Sequence, residues 1–357
     1  MSIKNINLSC GVKLGDYIYA SALHFNGLFK VNVKSGEMEY LGSFLDEKFH
    51  IESAHSKAFL IDDDIYYIPS NANNIGVYRL NSNSFDVIHF DKKCGYIGEV
   101  VHNILYLLPY QARGDVLKLN RDNNSLEKVI SIDDIKPLLD ENYIDGYIFL
   151  RTAVLDGKIF VPQYRTNRVI IIDTKNDNQL SVISLENHAS VFGAFSGQDC
   201  LWLLGIDGTV YKWCVENNEL YQCSYQQEDG VEKEKLINWI VDIGEYAYAF
   251  PGWGTEIYEI KNQQLKPIFN YGIYKKIHKV FNPIVDNNEL WILPYSFEKL
   301  LHIEKNVCDV ISVQSLDDES EIYNKILKEE FDSVQGAPIF ENLRMSLEDF
   351  VQIVIKG

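Results

Sequence analysis

The sequence predicts an all-β chain made of seven copies of one four-stranded antiparallel unit. Two observations carry that prediction. An apolar-aromatic pair recurs as Ile18-Tyr19, Ile65-Tyr66, Leu105-Tyr106, Ile159-Phe160, Leu201-Trp202, Ala247-Tyr248 and Leu290-Trp291. Each pair follows a turn signal rich in Gly, Asp and Asn, such as Gly15-Asp16, Asp156-Gly157 or Asp286-Asn287-Asn288. These residues close hairpins because they tolerate left-handed backbone angles. The composition agrees, since 13% of the 357 residues are aromatic, including 22 Tyr and 18 Phe. Such residues favour strands over helices.

The rest of each unit follows in order. About ten residues after each pair comes a second apolar strand: FKVN, YRLN, LKLN, IIID, YKWC, YEIK, LHIE. A polar turn and a last strand follow, for example MEYLGSF, FDVIHF or LSVISL. Upstream of each first turn lies one further strand candidate, such as YIFLRTAVL at 147–155. Repeats of this length built from four strands match the blades of a seven-bladed β-propeller. Blades pack face to face, so runs such as VIIID and LYLLP need not alternate between apolar and polar.

Three segments break the period. Residues 131–147 carry Ile135, Leu138 and Leu139 and predict a short helical lid. Residues 225–235 are charged and predict a loop. The C-terminal part reads as amphipathic helix, with a capping-box pattern from Ser346 to Asp349. The expected division is a propeller over 1–314 and a helical tail, packed on it, over 315–357.

Strand order sets which face holds a site. The loops from strand two to strand three open on the same face as the connections between blades. Five of them begin at a proline: Pro69, Pro109, Pro162, Pro251 and Pro294. Proline cannot donate to a ladder and marks where pairing stops. Tyr110, Tyr164, Trp253 and Tyr295 follow four of these prolines, which places aromatic side chains above the channel. Only seven of the 33 basic residues are Arg, and Arg113, Arg151, Arg165 and Arg168 all fall in units three and four. Arg recognises carboxylate or phosphate through a planar fork. These eight residues form the expected ligand site.

Other chemistry is excluded or unsupported. The net charge of −18 disfavours nucleic acid and anionic membrane surfaces as partners. No run of about 18 apolar residues occurs. The N-terminus lacks the apolar core of a signal peptide, and the six Cys are scattered, so reduced thiols in a cytoplasmic protein are expected. No phosphate-binding glycine loop, nucleophile elbow or zinc-helix motif is present. The eight His show no ligand spacing, although His24 and His55 fall near the channel mouth. The sequence predicts no metal and no cofactor.

Over residues 9–314 the chain resembles the broad β-propeller superfamily, through its strand-and-turn repeat and through turns such as DTKNDNQLSVISL. The paired glycines of kelch repeats and the Gly-His and Trp-Asp pairs of WD40 repeats are missing. So are the Asp-boxes of sialidases and the tryptophan docking motif of quinoprotein dehydrogenases, and no catalytic residue carries over. The expected function is a non-enzymatic recognition or scaffold module that binds a peptide, glycan or partner protein bearing an anionic group. The alternative is a lyase, hydrolase or cyclase acting on a small anionic substrate in the same pocket, with Arg113, Arg151 and Arg165 as its clamp and a Tyr or His moving the proton.

Overall fold

A computed structural model describes residues 7–44, 46–48, 51–140, 151–185, 190–225, 237–251, 256–270, 280–294 and 299–315. The chain is a seven-bladed β-propeller, and in every blade the four strands run antiparallel in sequence order. The recurrent apolar-aromatic pairs all lie on the second strand of a blade: Tyr17–Ala22, Asp64–Pro69, Ile104–Pro109, Lys158–Pro162, Leu201–Gly205, Ala247–Pro251 and Glu289–Pro294. The turns before them take the backbone angles that the sequence called for. Gly15, Asp62, Asn103, Asp156, Gly244 and Asn287 all have positive φ.

The innermost strands are Leu8–Leu14, His55–Ile61, Tyr96–Val101, Ala153–Leu155, Val191–Ser196, Ile237–Asp242 and Val280–Asp286. Each contacts the innermost strand of the next blade, and the last contacts the first, so the ring is closed. Strand one of blade four is shorter than expected. Arg151 and Thr152 precede it, and 147–150 lie outside the described residues.

The second strands show why their sequences do not alternate. Side chains at successive positions point to opposite faces of a strand. Leu201 and Leu203 pack in the core between blades four and five, while Trp202 and Leu204 pack between blades five and six. Leu105 and Leu107 divide from Tyr106 and Leu108 in the same way around blade three. A blade has no solvent face here, so both registers are apolar. The seven large apolar clusters correspond to the seven seams between blades, including the seam between the last and first blades.

Two blades carry a fifth, parallel strand. Ser224–Tyr225 pairs with Gln264 and Leu265 on the outside of blade six, so Tyr225, the first residue of the expected loop, is strand. Residues 226–235 lie outside the described residues. Gln314–Ser315 pairs with Glu37 and Met38 on the outside of blade one and ties the end of blade seven to the first blade. The helices expected beyond residue 315 lie outside the described residues.

The insertion after blade three begins with the helix Ile132–Ile135, capped by Ser131 and Asp134, and a single 3-10 turn, Lys136–Leu138. It is not a lid among the described residues. Ile135 is buried, and it packs with Leu138 and Leu139 against the seam of blades three and four. Gln163 holds it there, since its side-chain amide donates to the Leu138 carbonyl and its Oε1 accepts from the Asp140 N–H, both at 2.9 Å.

Candidate binding channel

The ring encloses a cavity of about 950 Å3. This lies within the range of roughly 300–1,000 Å3 common for ligand sites. Its walls come from all seven blades. The strand-one residues include Ser9, Lys57, Glu99, Phe195, Trp239 and Val285, and Leu23, Ser70, Tyr110, Tyr164, Arg165 and Ile206 form a rim of strand two-to-three loops. This is the face the strand order assigned to a site.

The wall divides into two arcs. Blades two to four supply a polar arc, in which Lys57 donates to Glu99 Oε1 at 2.6 Å and to the Gly98 carbonyl at 3.3 Å. Thr152 donates to the same Glu99 oxygen at 2.5 Å. Glu99 is buried, and this cluster links three consecutive blades. His55 is buried as well, its Nδ1 lying 2.8 Å from Ser21 Oγ. Burial lowers the His55 pKa to about 3, with Lys92 adding to the effect, so the ring is neutral at physiological pH. Blades five and six supply a mainly apolar arc of Phe192, Phe195, Ile237, Trp239 and Ile240, with Asn238 and Asp242 as its polar members.

Arg151 sits where the arcs meet. Its guanidinium lies 4.1 Å from the Trp239 ring centroid and 6.0 Å from that of Phe195. Its Nη2 donates to Asn238 Oδ1 at 2.9 Å. Room for its stem comes from Gly193, where a Cβ would stand 3.0 Å from the Arg151 Cβ. Burial lowers the Arg151 pKa to about 10, against a smaller upward pull from the Tyr110 phenol, and the group stays cationic at neutral pH. Among the described residues no carboxylate forms an ion pair with it.

Tyr164 and Arg165 lie on the rim. The Arg165 N–H donates to the Val191 carbonyl at 3.0 Å, and the Val191 N–H donates to Thr166 at 2.9 Å, which pins this loop to blade five. Arg165 is exposed with φ +63, and its guanidinium stands 5.0 Å from the Tyr164 ring centroid. A non-Gly residue held in the left-handed region is uncommon and marks a locally constrained loop.

Four of the eight sequence-selected residues therefore line the cavity: Tyr110, Arg151, Tyr164 and Arg165. Two others do not. Arg113 is exposed away from it. Arg168 turns to the insertion, donating to the Leu139 carbonyl at 3.4 Å and lying 3.6 Å from Asp140 Oδ2. Trp253 and Tyr295 lie outside the described residues. Sequence reasoning missed Trp239, Phe195 and Asn238 because they sit on strand one, where no proline or turn marks the position. It also missed Lys57 and Glu99, whose opposite charges lie 42 residues apart and meet only where blades two and three adjoin.

No protein-family model matches the sequence, and no curated protein matches it. Solved structures share the fold at low identity. PorZ, an essential bacterial surface component of the type-IX secretion system of Porphyromonas gingivalis, is 14% identical with a TM-score of 0.60, over 88% of this chain and 39% of that one. YCF48 bound to D1 peptide is 8% identical with a TM-score of 0.60, over 89% and 96%. The extracellular domain of the putative hybrid two-component system BT4673 from B. thetaiotaomicron is 14% identical with a TM-score of 0.58, over 83% and 38%. The chain thus spans about two fifths of the PorZ and BT4673 chains.

Proposed function

We propose that the protein is a recognition module that binds a peptide segment of a partner protein in the mouth of its channel. The observation that carries this reading is Arg151. An acidic protein with 51 Asp and Glu holds a guanidinium at its channel, against two aromatic rings, with no carboxylate partner among the described residues. Desolvating a cation without pairing it is costly, and an incoming anionic group offsets that cost. The aromatic arc beside it supplies rigid apolar area, the usual composition of a binding hot spot. YCF48, a propeller of the same fold, has been solved with a peptide bound, which supports a peptide or protein as partner.

Panning a displayed library of random peptides against the protein tests this. The enriched peptides should lose binding to both Arg151→Ala and Trp239→Ala, each variant remaining folded by circular dichroism. Peptides that bind parent and variants equally would place recognition elsewhere and overturn the reading.

A further inference from the structure

We infer that the group Arg151 receives is a carboxylate carried by an extended peptide, next to an apolar side chain. This rests on the peptide-binding reading above and adds the chemistry of the ligand. The first argument is the pose of the guanidinium. The guanidinium lies over the Trp239 ring at 4.1 Å, and Asn238 Oδ1 accepts a hydrogen bond from Nη2 at 2.9 Å, which together restrict its pose. The remaining N–H groups lie in that one plane. A planar carboxylate accepts two parallel bonds there. A phosphate can also place two oxygens in that plane, so this geometry requires an anion with two coplanar acceptors and charge separates the two.

The second argument is charge. The other cation on the polar arc, Lys57, is committed to Glu99 at 2.6 Å. Glu99 is buried and also holds Thr152. Arg165 belongs to the exposed rim, where solvent and salt screen it. Below the rim, among the described residues, Lys57 and Arg151 stand against Glu99 and Asp242, and Arg151 is the cation without an ion-pair partner, so the wall suits a monoanion and has no surplus charge for a dianion. A phosphate group carrying roughly −1.5 to −2 would keep unbalanced charge beside the buried Glu99 carboxylate. The third argument is the neighbourhood: Phe192, Phe195 and Trp239 adjoin the Arg151 site and offer apolar surface to the residue bearing the carboxylate or the next one. That carboxylate comes from the peptide C-terminus or from an Asp or Glu side chain.

Titration calorimetry with short N-acetylated probes decides among these chemistries. One probe ends in Phe with a free acid, a second in Phe amide, a third in Glu-Phe amide and a fourth in phosphoserine-Phe amide. The parent protein should bind a carboxylate-bearing probe at least roughly tenfold more tightly than the plain amide, as expected for a charge-assisted bidentate pair. The phosphoserine probe should not exceed the Glu probe. Preference for the free acid assigns the chain terminus, and preference for the Glu probe assigns the side chain.

Arg151→Ala should abolish discrimination between acid and amide, and Arg151→Lys should weaken it by removing the planar fork. Arg113→Ala, exposed and outside the cavity, should leave it intact. Glu99→Gln frees the Lys57 charge and should improve the phosphoserine probe. Phosphoserine binding tightest to the parent, equal binding of acid and amide, or no binding by any probe at about 1 mM would each overturn the inference. Panned peptides that depend on Arg151 yet bind without any carboxylate would overturn it too, while leaving the peptide-binding reading in place.

Discussion

His55 shows what the propeller does to one side chain. On the innermost strand of blade two it is 2% exposed, with Phe44 and Tyr67 rings against it at 5.1 and 5.5 Å. Its folded pKa, about 3, lies below its ordinary 6.5. The unfolded chain therefore binds a proton that the folded protein refuses. By linkage, stability is complete above pH 6.5 and falls as pH drops from 6.5 toward 3, by at most about 1.4 kcal/mol per pH unit for one such group. Urea midpoints across that window should fall on acidification, and His55→Gln should flatten the slope. An unchanged slope would mean that carboxylates alone govern acid unfolding. The sequence placed His55 near the mouth, but nothing in it marked the residue as buried and neutral. Arg151 differs in this respect. Its scarcity and position drew attention to it, while its partners Asn238 and Trp239 came from a strand 87 and 88 residues away.

Within a blade, strand two carries the burden of both neighbouring seams. Leu203 is fully buried in the seam of blades four and five, among Phe160, Ile171 and Trp213. Leu203→Ala should cost about 2–5 kcal/mol in chemical denaturation, as core Leu truncations do. A loss under about 1 kcal/mol, below that range, would show that the seam closes over the gap. Much of this level was legible beforehand, since the apolar-aromatic pair, the turn before it and the proline after it all fall as the sequence placed them. The failures have a common cause. Arg168 follows the proline-led loop at the expected spacing, yet its side chain turns to Asp140, because the insertion lands beside it. Spacing along a chain sets which face of a strand a residue occupies, but it does not say what packs against that face.

The ring as a whole depends on its last seam. Lys13 of blade one is largely buried and pairs at 2.5 Å with Asp286 of blade seven, beneath the Trp291 ring at 5.5 Å. The partners are 273 residues apart. Asp286→Ala strands the Lys13 ammonium in that seam and should destabilise the protein by about 1–3 kcal/mol. Replacing both residues, Lys13→Met with Asp286→Ala, should recover most of the loss, because a matched apolar pair leaves no charge uncompensated. Thermal melts of the parent and the two variants measure this, and a double variant no better than the single one would show that the pair does not bridge the seam.

The amino-acid sequence was enough to count seven units, to order four strands in each and to tell which loops surround the mouth of the cavity. Those features are local. Turn chemistry, strand length and apolar runs act over a few residues and repeat with every blade. The composition of the channel is of another kind. Lys57 with Glu99, Arg151 with Trp239 and Lys13 with Asp286 are pairs between blades, brought together when the ring closes. Ring closure sets seven innermost strands side by side, and no periodicity along the chain records which side chain of one blade faces which of another.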